Sequence, residues 1–226
     1  GWHDWYLAAN LGDEESLDGH LLPGLDPKGV PKNLRGSVLP FAYNDYPALE
    51  ALVRDNDIGV IKMEVSRNTG PEDGFLSKVR DLATRNGIVL VFDECTSGFR
   101  QTFGGLHKLY GVEPDIAIFG KALGNGYAIT SIIGRREIME SAQCTFMSST
   151  FWTERIGPVV ALKTLEIMSK EHSWEVITHA GESVFRGWHD LAKKYDLSIT
   201  TMGLPALASF SFNSGKALEY KTLITQ

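Results

Sequence analysis

The chain has 226 residues, 43% of them hydrophobic, enough to bury one substantial core and to make one domain or one plus part of another. Its net charge of −6 is spread along the sequence rather than clustered, which argues against nucleic acid as the main partner, and no apolar run approaches the ~20 residues that a membrane-spanning helix needs. Cys95 and Cys144 stand far apart and offer neither a disulfide framework nor a metal-ligand spacing, so a cytoplasmic protein without a bound metal is expected.

The chain opens in Trp2-His3-Asp4-Trp5-Tyr6, a run too apolar for a frayed terminus, and is expected to be the cut end of a longer protein. Trp2 and Trp5 offer faces for ring stacking, although packing on a neighbouring helix is the preferred reading. From Leu11 to Pro40 the sequence is rich in Gly, Pro and Asp with no period, and reads as a long irregular excursion. Asp45 to Asn56 is predicted helical, with Leu49, Leu52 and Val53 on one stripe. Ile58 to Val65 then reads as a strand, and Glu72 to Asn86 as an amphipathic helix carrying Phe75, Leu76, Val79 and Leu82. The continuous apolar run Ile88–Phe92 is the pattern of a strand covered on both faces in a parallel sheet. Strand, helix, strand is a right-handed unit with parallel neighbours, so Glu64 and Asp93 are expected at one edge of the sheet, the edge where ligands collect.

A further apolar strand is predicted between Asp115 and Gly120, with Lys121 where it runs out and glycines at 124 and 126. A lysine at the mouth of an apolar strand, with little side-chain bulk around it, can lose water, which lowers its pKa and frees the amine to form a Schiff base with a carbonyl. A lone lysine is more often a solvated loop residue, and a lone strand-end aspartate more often a helix cap or a metal ligand. Together the two fit one cofactor: pyridoxal phosphate needs an amine for its aldehyde and an acid near its pyridine nitrogen, roles open to Lys121 and Asp93. Nucleotide readings of the glycine loop fail. Gly120-Lys-Ala-Leu-Gly-Asn-Gly126 lacks the spacing of a Walker loop, and Gly124-Asn-Gly126 is not completed by a glycine at Ile129.

Between the two lies a glycine-containing stretch with Arg100, read as a surface or interface salt-bridge residue, and His107, read as structural rather than a base. Thr130 to Gly134 is predicted as one more strand. Ser148 to Arg155 precedes a helix from about Ile156 to Met168, and its hydroxyls suit either helix capping or an anion at the helix start. A second helix is predicted over Ser173–Tyr195, followed by strands at Leu197–Thr201 and Ala206–Phe212.

Phe92-Asp-Glu-Cys-Thr-Ser-Gly-Phe-Arg100, followed by Tyr110-Gly-Val-Glu-Pro-Asp-Ile-Ala-Ile-Phe-Gly-Lys-Ala-Leu-Gly-Asn-Gly-Tyr127, resembles the class III pyridoxal-phosphate aminotransferases, and within them the glutamate-1-semialdehyde 2,1-aminomutase branch. The resemblance spans most of the chain. It implies an α/β fold, the large domain of a fold-type I pyridoxal-phosphate transferase with a mostly parallel sheet and flanking helices, represented in part. Residues 1–196 would be the central part of that domain and 197–226 the start of a truncated small C-terminal domain. By position, Lys121 is implied as the Schiff-base lysine and Asp93 as the partner of the pyridinium. Cys95 would pack against the ring where the family usually has valine, and Thr150 would reach the phosphate of a partner subunit's cofactor. Glu64 matches the family's active-site Glu-Pro position with Val65 in place of the proline, and Arg100 follows Gly98-Phe99 as in the aminomutase-like branch. The implied activity is amino-group transfer on a small amino or keto substrate, in a homodimer. The alternatives are an ordinary class III aminotransferase for another amine or amino-sugar, or a non-catalytic scaffold that does not retain cofactor. The family's phosphate loop and ring-covering aromatic have no counterpart in the sequence, so this chain by itself is expected to hold cofactor weakly and to be inactive.

Overall fold

A computed structural model describes residues 6–13, 15–18, 24–66, 68–148, 151 and 153–226. The chain forms two compact units, residues 1–58 and 59–226.

In the first unit, the Gly/Pro-rich excursion has a small core of its own. Leu7, Ala8, Ala9, Leu17 and Val30 are buried together, with Tyr6, Leu11, Leu25, Leu34 and Val38 packed around them. Buried Asn10 ties the irregular chain together, donating to the Leu25 carbonyl at 2.7 Å and accepting from the Leu17 amide at 3.0 Å. A buried polar side chain with both functions satisfied does locally what a regular element would otherwise do. Helix α1, Tyr46–Asp55, starts at Asp45, whose carboxylate accepts from the Ala48 amide at 3.0 Å, with Pro47 in the first turn.

The second unit is built on a four-stranded sheet in sequential order, comprising β1 (Val60–Glu64), β2 (Val89–Asp93), β3 (Ile116–Phe119) and β4 (Ser131–Gly134). The first three strands are parallel, and β4 runs antiparallel to β3. Between β1 and β2, helix α2 (Phe75–Arg85) buries Phe75, Leu76, Val79, Leu82 and Ala83, the stripe its period of 3.6 predicts. Gly87, in the left-handed region at φ 67°, ends that helix and lets the chain turn into β2. Leu90 and Phe92 on one face and Val91 on the other are all buried, as a strand covered on both faces requires.

Asp115, at the amino end of β3, fastens that end of the sheet. Its carboxylate accepts from the Leu90 amide at 2.8 Å, from Arg80 of α2 at 2.8 Å and from Arg135 beyond β4 at 3.1 Å. After β4 come a short helix α3 (Arg136–Met139), then α4 (Ile156–Glu171) and α5 (Ser173–Lys194). A separate antiparallel pair, β5 (Ile199–Met202) and β6 (Ser209–Phe212), follows, and α6 (Ala217–Thr225) packs on β6. Gly181 lets α5 approach the turn between β5 and β6, because a Cβ there would run into the Pro205 backbone. The core of the larger unit lies between sheet and helices, and the carboxyl-terminal edge of the parallel strands is left to carry polar chemistry.

Candidate functional site

Strand β2 ends on Asp93, which sits opposite Ile118 of β3 in a parallel register. Lys121 follows β3 directly after Phe119 and Gly120, so the carboxylate and the amine leave adjacent strands at the same edge of the sheet. Glu64 closes β1 at the same edge, paired in register with Asp93. Parallel strands place every carboxyl end on one side of the sheet, so three residues distant in sequence are brought to that edge.

The Asp93 carboxylate has two partners. One oxygen accepts from the Lys62 ammonium at 2.8 Å, and the other from the Cys95 amide at 3.1 Å. Burial pushes this carboxyl up, but the hydrogen bond and charge of Lys62 and the Cys95 amide outweigh it, so its pKa lies below the ordinary carboxylate value. Asp93 is therefore ionised at neutral pH. The Cys95 thiol is pushed up by burial and by the Asp93 charge, and it also feels the opposing charges of Lys121 and Lys62. Three charged groups thus converge around one small side chain. Gly120 keeps that space open, since a Cβ there would stand 3.3 Å from the Cys95 Sγ and 3.4 Å from a Thr130 methyl.

Lys121 is held at both ends. Its ammonium donates to the Thr96 hydroxyl at 2.6 Å, and its carbonyl accepts from the amides of Gly124 at 3.2 Å and Asn125 at 3.0 Å. Its backbone lies in the left-handed region at φ 44°, a conformation that costs a non-glycine residue on the order of 1–3 kcal/mol and persists where surrounding structure imposes it. What imposes it is the glycine loop. Gly124 admits no side chain, because a Cβ would strike the Tyr127 carbonyl, and Gly126 turns at φ 105°.

Beneath this edge, Glu94 is wholly buried. Its carboxylate accepts from the Ser97 hydroxyl, from the His107 amide at 3.0 Å and from the His107 ring at 2.8 Å. Burial pushes the Glu94 carboxyl up, but the His107 and Ser97 hydrogen bonds prevail and lower it from its ordinary value. Arg100 is half-buried. Its Nε donates to the Thr96 carbonyl at 2.7 Å, and its own carbonyl accepts from the Thr178 hydroxyl of α5 at 3.2 Å. Burial lowers the Arg100 pKa. Thr96 therefore links Arg100, through its carbonyl, to Lys121, through its hydroxyl.

The structure brings Asp93, Cys95, Lys121 and Glu64 to one edge, with Arg100 behind the loop that carries Cys95 and Thr96. Thr150, Trp2 and Trp5 lie outside the described residues. Sequence reasoning missed Lys62 and Thr96. Lys62 carried a signal, a lone charge inside the apolar run Val60-Ile61-Lys62-Met63, whereas a threonine in a turn carries none.

An ionised carboxylate and a positioned primary amine, separated by a cysteine and a glycine with little bulk, form a donor set that fits a flat ring bearing an aldehyde and a basic nitrogen. The α/β sheet with that set at its carboxyl edge defines a part of a fold-type I pyridoxal-phosphate transferase domain. Solved structures share the fold. The FumI protein of Sphingopyxis sp. MTA144, in its pyridoxal-phosphate internal aldimine form, superposes with a TM-score of 0.81 at 20% identity over 96% of this chain and 57% of its own. An omega-transaminase from Sphaerobacter thermophilus superposes with a TM-score of 0.76 at 21% identity over 91% of this chain and 49% of its own.

The sequence pattern of the class-III aminotransferases matches residues 57–224, and the chain belongs to that family, whose cofactor is pyridoxal phosphate. Among curated relatives, the 3-aminobutyryl-CoA aminotransferase of Cloacimonas acidaminovorans (strain Evry) is 32% identical over 100% of this chain and 53% of its own length. The glutamate-1-semialdehyde 2,1-aminomutase of Ruminiclostridium cellulolyticum is 33% identical over 87% of this chain and 48% of its own. The chain spans about half the length of the curated relatives it matches.

Proposed function

We propose that this protein transfers an amino group by pyridoxal-phosphate chemistry, of the glutamate-1-semialdehyde 2,1-aminomutase type, with Lys121 and Asp93 as the working pair. The observation that carries the proposal is their emergence from adjacent parallel strands at one sheet edge, with an ionised carboxylate on one side and a positioned amine on the other. When bound, the cofactor supplies an aldehyde for covalent capture and a ring that withdraws electrons. Lys121 supplies the capturing amine and, once free, takes and returns the proton at the substrate carbon. Asp93 holds a proton at the ring nitrogen through its carboxylate. Cys95 gives the ring a small apolar contact, and Thr96 aims the lysine amine.

A second reading is an ordinary class III aminotransferase acting on another amine. A relative that covers the whole chain, a 3-aminobutyryl-CoA aminotransferase, supports it. A homodimer is part of the proposal, with Thr150 reaching the partner's cofactor phosphate; the exposed apolar side chains Ile132, Ile133, Phe146, Val159 and Leu162 support such an interface. Residues 197–226 are proposed as the start of a small domain, supported by β5 and β6 forming their own sheet. Two free cysteines support a cytoplasmic setting.

The test is borohydride trapping after addition of pyridoxal phosphate, followed by peptide mapping. Label on Lys121, and its loss in Lys121→Ala, is expected. Label that stays on another lysine in that variant refutes the assignment.

A further inference from the structure

The ion pair between Lys62 and Asp93 helps to keep the carboxylate ionised, and its geometry is specific. Lys62 sits on β1 opposite Val91 of β2, and Asp93 lies two residues further along β2 on the face that Val91 shares. The lysine stem therefore runs diagonally toward the sheet edge and delivers its ammonium to Asp93 Oδ2 at 2.8 Å, while Oδ1 takes the Cys95 amide at 3.1 Å. Both carboxylate oxygens are engaged before any ligand arrives. An ionised carboxylate has about four acceptor positions, so room remains for a further donor. That donor would share the same negative charge with an ammonium.

We infer that Lys62 is a positioning residue for Asp93: it fixes the carboxylate's orientation at the sheet edge and competes with the cofactor's ring nitrogen for the carboxylate's charge. The inference rests on the reading of Asp93 as the ring's partner. The groups facing Asp93 are Lys62 and Glu64 from β1, Cys95 from its own loop and, sensed through the Cys95 thiol, Lys121 after β3. Lys62 is the one among these in direct hydrogen-bonded ion contact with the Asp93 side chain among the described residues. A neighbouring cation makes a carboxylate a weaker base, and a weaker base holds a pyridinium proton less firmly. Lys62 thereby moderates how strongly the ring is kept protonated. The Lys62 side chain is 46% exposed, so the pair is screened and the effect is a tuning one rather than all-or-none.

The experiment compares wild type, Lys62→Met and Lys62→Arg. In cofactor-free protein, the Asp93 carboxyl is titrated by carbon-13 NMR, assigned by its loss in Asp93→Asn. The midpoint is expected to rise by about one pH unit in Lys62→Met and to return toward wild type in Lys62→Arg. With ring-labelled pyridoxal phosphate added, the nitrogen-15 shift is expected to report a protonated ring to higher pH in Lys62→Met than in wild type. Should Lys62→Met fold poorly by circular dichroism, Lys62→Gln takes its place. An Asp93 midpoint that does not move in the neutral variant overturns the inference. A midpoint that moves, with a ring shift indifferent to Asp93→Asn, leaves the Lys62–Asp93 pairing standing and refutes instead the role of Asp93 toward the cofactor.

Discussion

Replacing Glu94 by alanine tests whether the site rests on a buried polar support. In the folded chain its carboxylate has no solvent exposure and serves three donors, the Ser97 hydroxyl, the His107 amide and the His107 ring, with the ring itself set against Phe92 at 6.0 Å between centroids. Glu94→Ala leaves those donors buried without an acceptor, at about 1 kcal/mol or more each, and removes a buried charged partner, so the loss should be about 3 kcal/mol. Urea unfolding followed by circular dichroism at neutral pH reads it. A loss below about 1 kcal/mol would show that water or a rearranged loop satisfies the donors. The pH dependence gives a second reading. Burial raises the Glu94 carboxyl, but hydrogen bonds from His107 and Ser97 lower it further, to a net position below the ordinary 4.5. The folded value lies below the unfolded one, so as pH falls the unfolded state binds the proton first. The stabilisation is fully present above about pH 4.5 and is lost as pH falls through the depressed folded value. The stability gap between wild type and Glu94→Gln should accordingly narrow over that acidic window. A gap unchanged from about pH 6 to about pH 3 would refute the assignment of that stability to the Glu94 charge.

Thr96→Val keeps the side-chain shape and removes the hydroxyl that Lys121 bonds at 2.6 Å, so trapping of Lys121 with pyridoxal phosphate and borohydride should slow by about five-fold, the worth of one hydrogen bond; an unchanged rate would show that the amine needs no such guide. Gly181→Val should cost about 1–3 kcal/mol in urea unfolding, because its Cβ meets the Pro205 backbone, which has no flexible end to yield. A neutral result there would mean that α5 and the β5–β6 turn separate freely.

Much of the architecture was legible because it follows from two periods. The stripe Phe75, Leu76, Val79, Leu82 announces α2, and the unbroken run before Asp93 announces a covered strand. The parallel direction of the strands then carries Asp93 and Lys121 to one edge without further information. What stayed hidden depends on side-chain reach or on local turns. The Leu11–Pro40 stretch shows no period, yet Asn10 and a handful of apolar residues give it a core, which only tertiary contacts reveal. The antiparallel direction of β4 was hidden too, since four residues of strand pattern read the same in either direction. Thr96 reaches Lys121 because Arg100 and the Glu94 network bend the loop around it, and no spacing in the sequence encodes that bend.

Asp93 and Glu94 also explain why adjacent acids in this chain have opposite environments. Successive side chains at the end of a strand point to opposite sides, so one carboxylate stays at the carboxyl-terminal edge of the sheet and the next goes into the core. Each then needs a counterpart suited to its surroundings. Asp93, 22% exposed, keeps its charge with a partly hydrated ammonium and one amide, and retains acceptor capacity for something else. Glu94, with no access to water, must spend its capacity on fixed donors, which come from His107 and Ser97. Exchanging their roles would fail in both directions. A carboxylate as saturated as Glu94 has little left for a ring nitrogen, and one as open as Asp93 would be costly in the core. The acid proposed to meet the ring is therefore the one whose hydrogen bonding is left incomplete, and the neighbouring acid holds in place the loop that carries Cys95 and Thr96 toward Lys121.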